Sequence, residues 1–416
     1  MRTQRRLAVV QTALALCVLA GLALWLVPWA SGPGGVTVSP GELFSLDQIA
    51  AAEAYSVRAR AWSWSSLAVS LLVAALLGFT ARGRRLVDRL PGRWGSRVAL
   101  AVAVFVSAQT LATLGLRVGA WRLRRDVGLS AQSAAGFLRD VAVQWALDVV
   151  VLVGLLLLLL GLARRLPRAW TLVGGALAAL LVVAVSYVHP MVVEPLFNDF
   201  TSLPEGDLRD RISRVAEQEG VSIDDVVVAD ASRRTTTLNA WVSGFGETRR
   251  VVLHDNLVAE VAPDEVMAVV AHELAHARHD DVVVGTALGA VGAVAAVGAL
   301  GIVLGAWTRR GGRESTDPRV VPLLLACLAF GDQGVAPVQS AVSRAVEVRA
   351  DTEALCATND GEAFENVQVR LATRSLSDPT PPSWAHLWWG SHPGVLDRVA
   401  LARSWRPAEL SSRRCR

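Results

Sequence analysis

VAVQWALDVVVLVGLLLLLLGLA, residues 141–163, decides the fold class. It holds a single charged side chain, Asp148. A helix rises about 1.5 Å per residue, so a run of this length crosses the ~30 Å of hydrocarbon in a bilayer. Working outward, stretches 7–30, 61–81, 98–116, 169–188 and 282–308 read the same way. A seventh, 320–342, is broken by Asp332 and Gln333 and followed by Arg344, so it spans only with those groups turned to protein or water. The first stretch is longer than a signal-peptide core and Pro28 sits poorly for a small-residue cleavage site, so it is read as a retained helix. A chain of 416 residues that is 52% hydrophobic and 19% charged agrees with this reading. The expected fold is mainly α, a multi-pass membrane protein with about seven transmembrane helices.

All 41 basic residues are arginine, and many sit in short connections such as Arg82, Arg84, Arg85, Arg89, Arg93 and Arg97. That distribution reads as membrane topology and argues against nucleic-acid binding. Cys17, Cys327, Cys356 and Cys415 show no paired spacing, which suggests neither a disulfide framework nor a thiolate metal site. The terminal Ser-Ser-Arg-Arg-Cys-Arg does not fit a lipidation signal. Four regions follow: 1–189 with five spans, a polar segment 190–281, two further spans in 282–342, and a polar segment 343–416. Within 190–281, helical periodicity covers 206–220, and 226–229, 238–242 and 251–253 read as short strands. A helix opens at Pro263-Asp264-Glu265 and runs to about Arg278.

On that helix lies His272-Glu273-Leu274-Ala275-His276. Two imidazoles four residues apart share a helix face and can bind one zinc, while Glu273 addresses a water on the metal. A catalytic zinc needs a third protein ligand and an open position for that water. The candidate third ligand is Glu347 in Ser343-Arg344-Ala345-Val346-Glu347-Val348-Arg349-Ala350-Asp351, a helix expected just after the seventh span. Asp351, one turn on, is placed to accept the spare N–H of a ligating histidine, His272 being favoured. The two intervening spans are antiparallel and return the chain to one membrane surface.

The HELAH and SRAVEVRAD segments together resemble the type I CAAX prenyl protease family, integral-membrane zinc endopeptidases, and its bacterial relatives. Further blocks share the resemblance: Pro195-Leu196-Phe197-Asn198-Asp199-Phe200, Asn239-Ala240-Trp241, Arg250-Val251-Val252-Leu253-His254-Asp255, and Ser391-His392-Pro393 with Arg398. It covers about residues 120–400. It implies seven helices around a large chamber capped by a gluzincin-like α+β zinc domain, with Asn239 on an edge strand beside the cleft where a substrate peptide adds. It also implies that His392 and Arg398 line the active site, His392 as a donor to the developing oxyanion and Arg398 as a substrate contact. Gln109, Gln144, Asp148, Asp332, Gln333 and Gln339 would face chamber water.

The expected activity is therefore zinc-dependent hydrolysis of peptides or membrane proteins, with Glu273 as base and then acid. C-terminal processing after a prenylated cysteine and removal of damaged membrane proteins both stay open as substrates. An intramembrane-cleaving metalloprotease and a seven-span receptor or transporter with a fortuitous motif are the alternatives. His279 reads as a solvated residue, His254 and His386 as structural, and Asp280 and Asp281 as markers of the water interface. With seven spans, sixteen arginines fall in short connections on the amino-terminal side and seven in those opposite. The positive-inside rule then puts the zinc domain outside the cytoplasm. The family resemblance implies the cytosolic side, and that orientation is the one expected here.

Overall fold

The computed structural model describes residues 2–29, 36–244, 246–311 and 314–405. Seven helices are long and apolar enough to cross a membrane. They are α1 (Arg2–Leu26), α2 (Leu46–Gly78), α4 (Trp94–Asp126), α5 (Ala134–Arg165), α6 (Trp170–Val192), α9 (Asp281–Gly311) and α10 (Val321–Thr358), with a short basic helix α3 (Ala81–Asp88) between α2 and α4. Several run beyond their apolar stretches because local capping extends them. Ser45 opens α2 with a capping box closed by Gln48, and Ser133 opens α5 by accepting from the Gly136 N–H. The helix expected after the seventh span is no separate element: α10 continues through Pro337 to Asn359, whose left-handed conformation ends it.

The bundle is solid at one end only. Val98, Val102, Phe105, Leu156, Leu160, Trp170, Val297, Leu304, Val320 and Leu324 form its buried core. Most of them lie toward the ends of α5 and α9 and at or near the starts of α4, α6 and α10. Toward the opposite end Gln144, Trp145 and Asp332 are exposed at membrane depth, and Gln333 is half-buried beside them. The helices therefore enclose a chamber that is closed at one end. Small residues allow the close approaches at the closed end: a Cβ on Gly301 would lie 2.6 Å from Thr171 Cγ2, and one on Gly78 2.3 Å from Ala326 Cβ. The Gln11 amide donates to Thr171 O and Val294 O, both at 3.0 Å, and ties α1 to α6 and α9.

At the open end sits an α+β unit with strands β1 (Phe200–Ser202), β2 (Asp225–Ala229), β3 (Ala240–Ser243) and β4 (Arg250–His254) and helices α7 (Asp207–Gln218), α8 (Pro263–Arg278), α11 (Gly361–Ser375), α12 (Ser383–Trp389) and α13 (Val395–Ser404). The sheet order is β1-β2-β4-β3, with β2 and β4 parallel and the outer pairs antiparallel. The sequence reading missed β1, whose three residues are too few for a periodic signal. Ile212, Leu253, Leu257, Val270, Leu274, Leu355, Phe364 and Val367 form the core between sheet and helices. Cys17 and Cys327 are free, whereas Cys356 is disulfide-bonded, which its spacing had not suggested. The carboxyl-terminal segment considered for lipidation lies outside the described residues.

Candidate active site

Proline at the first position and Asp264 and Glu265 in the first turn start α8. Its stripe Val266, Val270, Leu274 and Ala277 is buried in the core. That burial fixes the helix's rotation and turns His272 and His276 toward α10, against which α8 packs. Glu347 and Asp351 are buried on the facing side of α10.

Three donor atoms converge there. His272 Nε2 and His276 Nε2 are 3.2 Å apart, and Glu347 lies 3.2 Å from the first through Oε2 and 3.6 Å from the second through Oε1. Among the described residues this is the one His, Cys, Asp or Glu group whose ligand atoms gather closely enough for an ion. The outer nitrogens of both rings are engaged: His272 Nδ1 lies 2.9 Å from Asp351 Oδ1, and His276 Nδ1 lies 2.9 Å from Asp281 Oδ2. If each Nδ1 gives its proton to its carboxylate, the two Nε2 lone pairs point at one another, an arrangement that requires a cation between them. Ligands at ~2.0 to 2.1 Å in tetrahedral array stand about 3.3 Å apart, which matches these separations. Glu347 Oε2 is also buried without a well-aligned hydrogen bond, although His392 Nδ1 is only 2.8 Å away. The donor set fits a metal ion.

Electrostatics agree with that fit. Burial alone would lower the His272 pKa, but hydrogen bonds to Asp351 and Glu347 outweigh it and raise the value to about 10. The pocket thus holds a positive charge strongly. Glu273, next in sequence, lines a cavity of about 250 Å³ that it shares with the ligand candidate His276, together with Ala277, Val242 of β3, and Val282 and Val283 of α9. Burial pushes its carboxyl group up, against the opposing effect of His272 and His276.

The remaining expected residues fall at different distances from this centre. His392 is largely exposed, with its ring against Glu347. Asn239 is exposed and immediately precedes β3, an edge strand, rather than lying within it. Its carbonyl accepts from the His254 N–H at 3.0 Å. Arg398, expected as a substrate contact, is largely buried and engaged with Asp351. Its Nε donates to Asp351 Oδ2 at 2.8 Å and its Nη2 to Oδ1, so it stands behind His272. His279 bonds to Glu353 and lies outside the three-ligand group.

Three residues escaped the sequence reading. Asp281 is no mere interface marker, since it receives His276 Nδ1 and pairs with Arg349. The signal was available: a second ligating imidazole needs a second carboxylate. Arg344 donates to His386 O at 3.1 Å and Gly390 O at 2.5 Å, while Ser340 donates to Trp388 O at 3.0 Å. These bonds hold the end of α12 and the turn that presents His392, and no motif announces them.

Comparison with known proteins extends the geometry. The profile of peptidase family M48 matches residues 202–406, and that of the CAAX prenyl protease N-terminal region, five membrane helices, matches 41–199. The chain is 27% identical over 299 residues to the uncharacterized metalloprotease YhfN of Bacillus subtilis (strain 168), covering 70% of each chain. It is 31% identical over 236 residues to a CAAX prenyl protease 1 homolog of Oryza sativa subsp. japonica, where the match spans only 54% of each. The crystal structure of S. mikatae Ste24p superposes with a TM-score of 0.78 at 18% identity, covering 95% of this chain and 98% of that one.

Proposed function

This chain belongs to peptidase family M48 and is a metalloprotease built into a membrane, and from that premise we propose that it is a zinc endopeptidase using His272, His276 and Glu347 as ligands and Glu273 as the proton carrier. The observation that carries the proposal is the pair of Nε2 atoms facing each other at 3.2 Å while both Nδ1 atoms are taken by carboxylates. When bound, zinc supplies a Lewis acid that polarises the scissile carbonyl and makes a neighbouring water acidic.

Glu273 takes the proton of the attacking water and delivers it to the leaving amine. Its raised pKa suits a group that must hold a proton between those two transfers. His392, exposed at the mouth of the site, donates to the oxygen on which charge develops. The substrate main chain adds as an antiparallel strand beside β3, with Asn239 as a contact at its start. Arg398 supports Asp351, and through it the orientation of His272. Substrates are peptides or membrane-protein segments. Processing next to a prenylated cysteine, which the name of the rice relative suggests, and clearance of damaged membrane proteins both fit this site.

Purified full-length protein should carry about one zinc per chain. A chelator should abolish cleavage of a quenched peptide and added zinc restore it, whereas His272→Ala, His276→Ala or Glu347→Ala should lose the metal. A metal-free chain with no peptidase activity would favour the receptor or transporter alternative and sink the proposal.

A further inference from the structure

The closed end of the bundle carries a second surface, unrelated to the metal centre. Sixteen arginines fall at or between the helix ends on that side, against three carboxylates, Asp88, Glu314 and Asp317. The short connections at the chamber's open side, 27–60 and 117–140, hold seven arginines against five carboxylates. Six of the closed-end cations have no ion-pair partner to explain them: Arg82, Arg85, Arg89, Arg93, Arg165 and Arg168 are exposed and form no ion pair among the described residues. Helix α3 buries Gly83 and Val87 against the bundle and turns Arg82 and Arg85 outward, as a helix lying along a membrane surface does. Cation and indole meet at the same level, with the Arg164 guanidinium 4.7 Å from the Trp94 ring centre and that of Arg84 5.6 Å from Trp307. Such pairs are typical of the headgroup zone.

We infer that this closed, arginine-covered end is the cytoplasmic face, seated on anionic phospholipid headgroups of the inner leaflet, so that the metal centre opens on the far side of the membrane. Seven crossings put the amino terminus and the closed end on one side and the α+β unit on the other. Arginine in short loops is retained on the cytoplasmic side, where anionic lipid also attracts it. This is the reverse of the orientation the family resemblance implies, and of the two substrate classes proposed above it selects membrane-protein segments that have crossed the membrane over cytoplasmic prenylated chains. It does not depend on the catalytic assignment.

The chain's lack of lysine allows a clean test in full-length protein. Arg85→Lys on α3 and Arg214→Lys on α7 are both exposed, conservative changes that introduce a lone side-chain amine. With a membrane-impermeant sulfonated succinimidyl ester on intact cells, Arg214→Lys should label well above the unsubstituted chain. Arg85→Lys should label only after permeabilisation. Reaction of Arg85→Lys at least as strong as that of Arg214→Lys before permeabilisation overturns the inference. For the headgroup contact, the protein should melt at a higher temperature in phosphatidylglycerol nanodiscs than in phosphatidylcholine ones, and joint replacement of Arg82, Arg85 and Arg89 by Gln should reduce the difference. Equal melting of the unsubstituted chain in the two lipids overturns that contact.

Discussion

In the proposed mechanism Glu273 and the carboxylates behind the histidines have separate roles, which single substitutions should distinguish. Glu273→Gln removes the proposed proton acceptor and no expected ligand. It should keep its zinc and its melting temperature while kcat falls ~10²- to 10⁴-fold, the usual contribution of general acid–base catalysis. Near-normal turnover with the metal bound would remove Glu273 from the mechanism. Asp351→Asn and Asp281→Asn each weaken the acceptor of an Nδ1–H, so each should lower zinc affinity ~10- to 100-fold, read by competition with a chelating dye. Unchanged affinity in Asp281→Asn would make its 2.9 Å contact with His276 incidental. Asp351 was legible from sequence because it lies one helical turn from Glu347. Asp281 was not read, because a polar residue at the start of a span has an obvious second explanation.

Between elements, small residues decide which helices touch. Gly301 on α9 faces Thr171 and Ala8, whereas nothing lies within 4 Å of where a Cβ on Gly21 of α1 would stand. Gly301→Leu should therefore destabilise the bundle by ~1 to 3 kcal/mol, the range for overpacking, and lower both folded yield and melting temperature in detergent. Gly21→Leu should be silent by the same measures. Equal behaviour of the two would mean that α1, α6 and α9 are not packed as described. Both glycines look alike in an apolar run, since composition states that a helix is apolar without stating which stripe meets protein. The continuity of α10 was not read either: the polar Asp332 and Gln333 and the end of the apolar run at 342 suggested a separate helix beyond the span, whereas one helix runs from Val321 through Pro337 to Thr358.

Seen whole, a bundle closed at one end and open at the other predicts where water reaches. Among the described residues Asp148, at membrane depth, has Gln144 alone as a side-chain hydrogen-bond partner, at 2.8 Å, and a carboxyl group there is tolerated when it faces water rather than lipid. Asp148→Cys should therefore react with a charged thiosulfonate reagent at a rate approaching that of a soluble thiol. Leu180→Cys, at an exposed apolar position of α6, should react far more slowly. Comparable slow rates at both sites would argue for a dry interior. The chamber itself was implied by family resemblance alone, because hydropathy counts helices and does not arrange them.

By itself the sequence determined the mainly α membrane class, the seven apolar helices, and the pairing of two histidines on one helix face, since each depends on spacing within one continuous segment. Only the tertiary structure decided that Glu347 stands 3.2 Å from His272, that Asp281 supports His276, that Arg398 is committed to Asp351, and that the bundle closes at its arginine-bearing end. The physical reason is the range of the interactions. Helix periodicity and bilayer thickness act along the chain, where neighbours in sequence are neighbours in space, whereas metal coordination and helix packing join residues whose separation in sequence carries no distance.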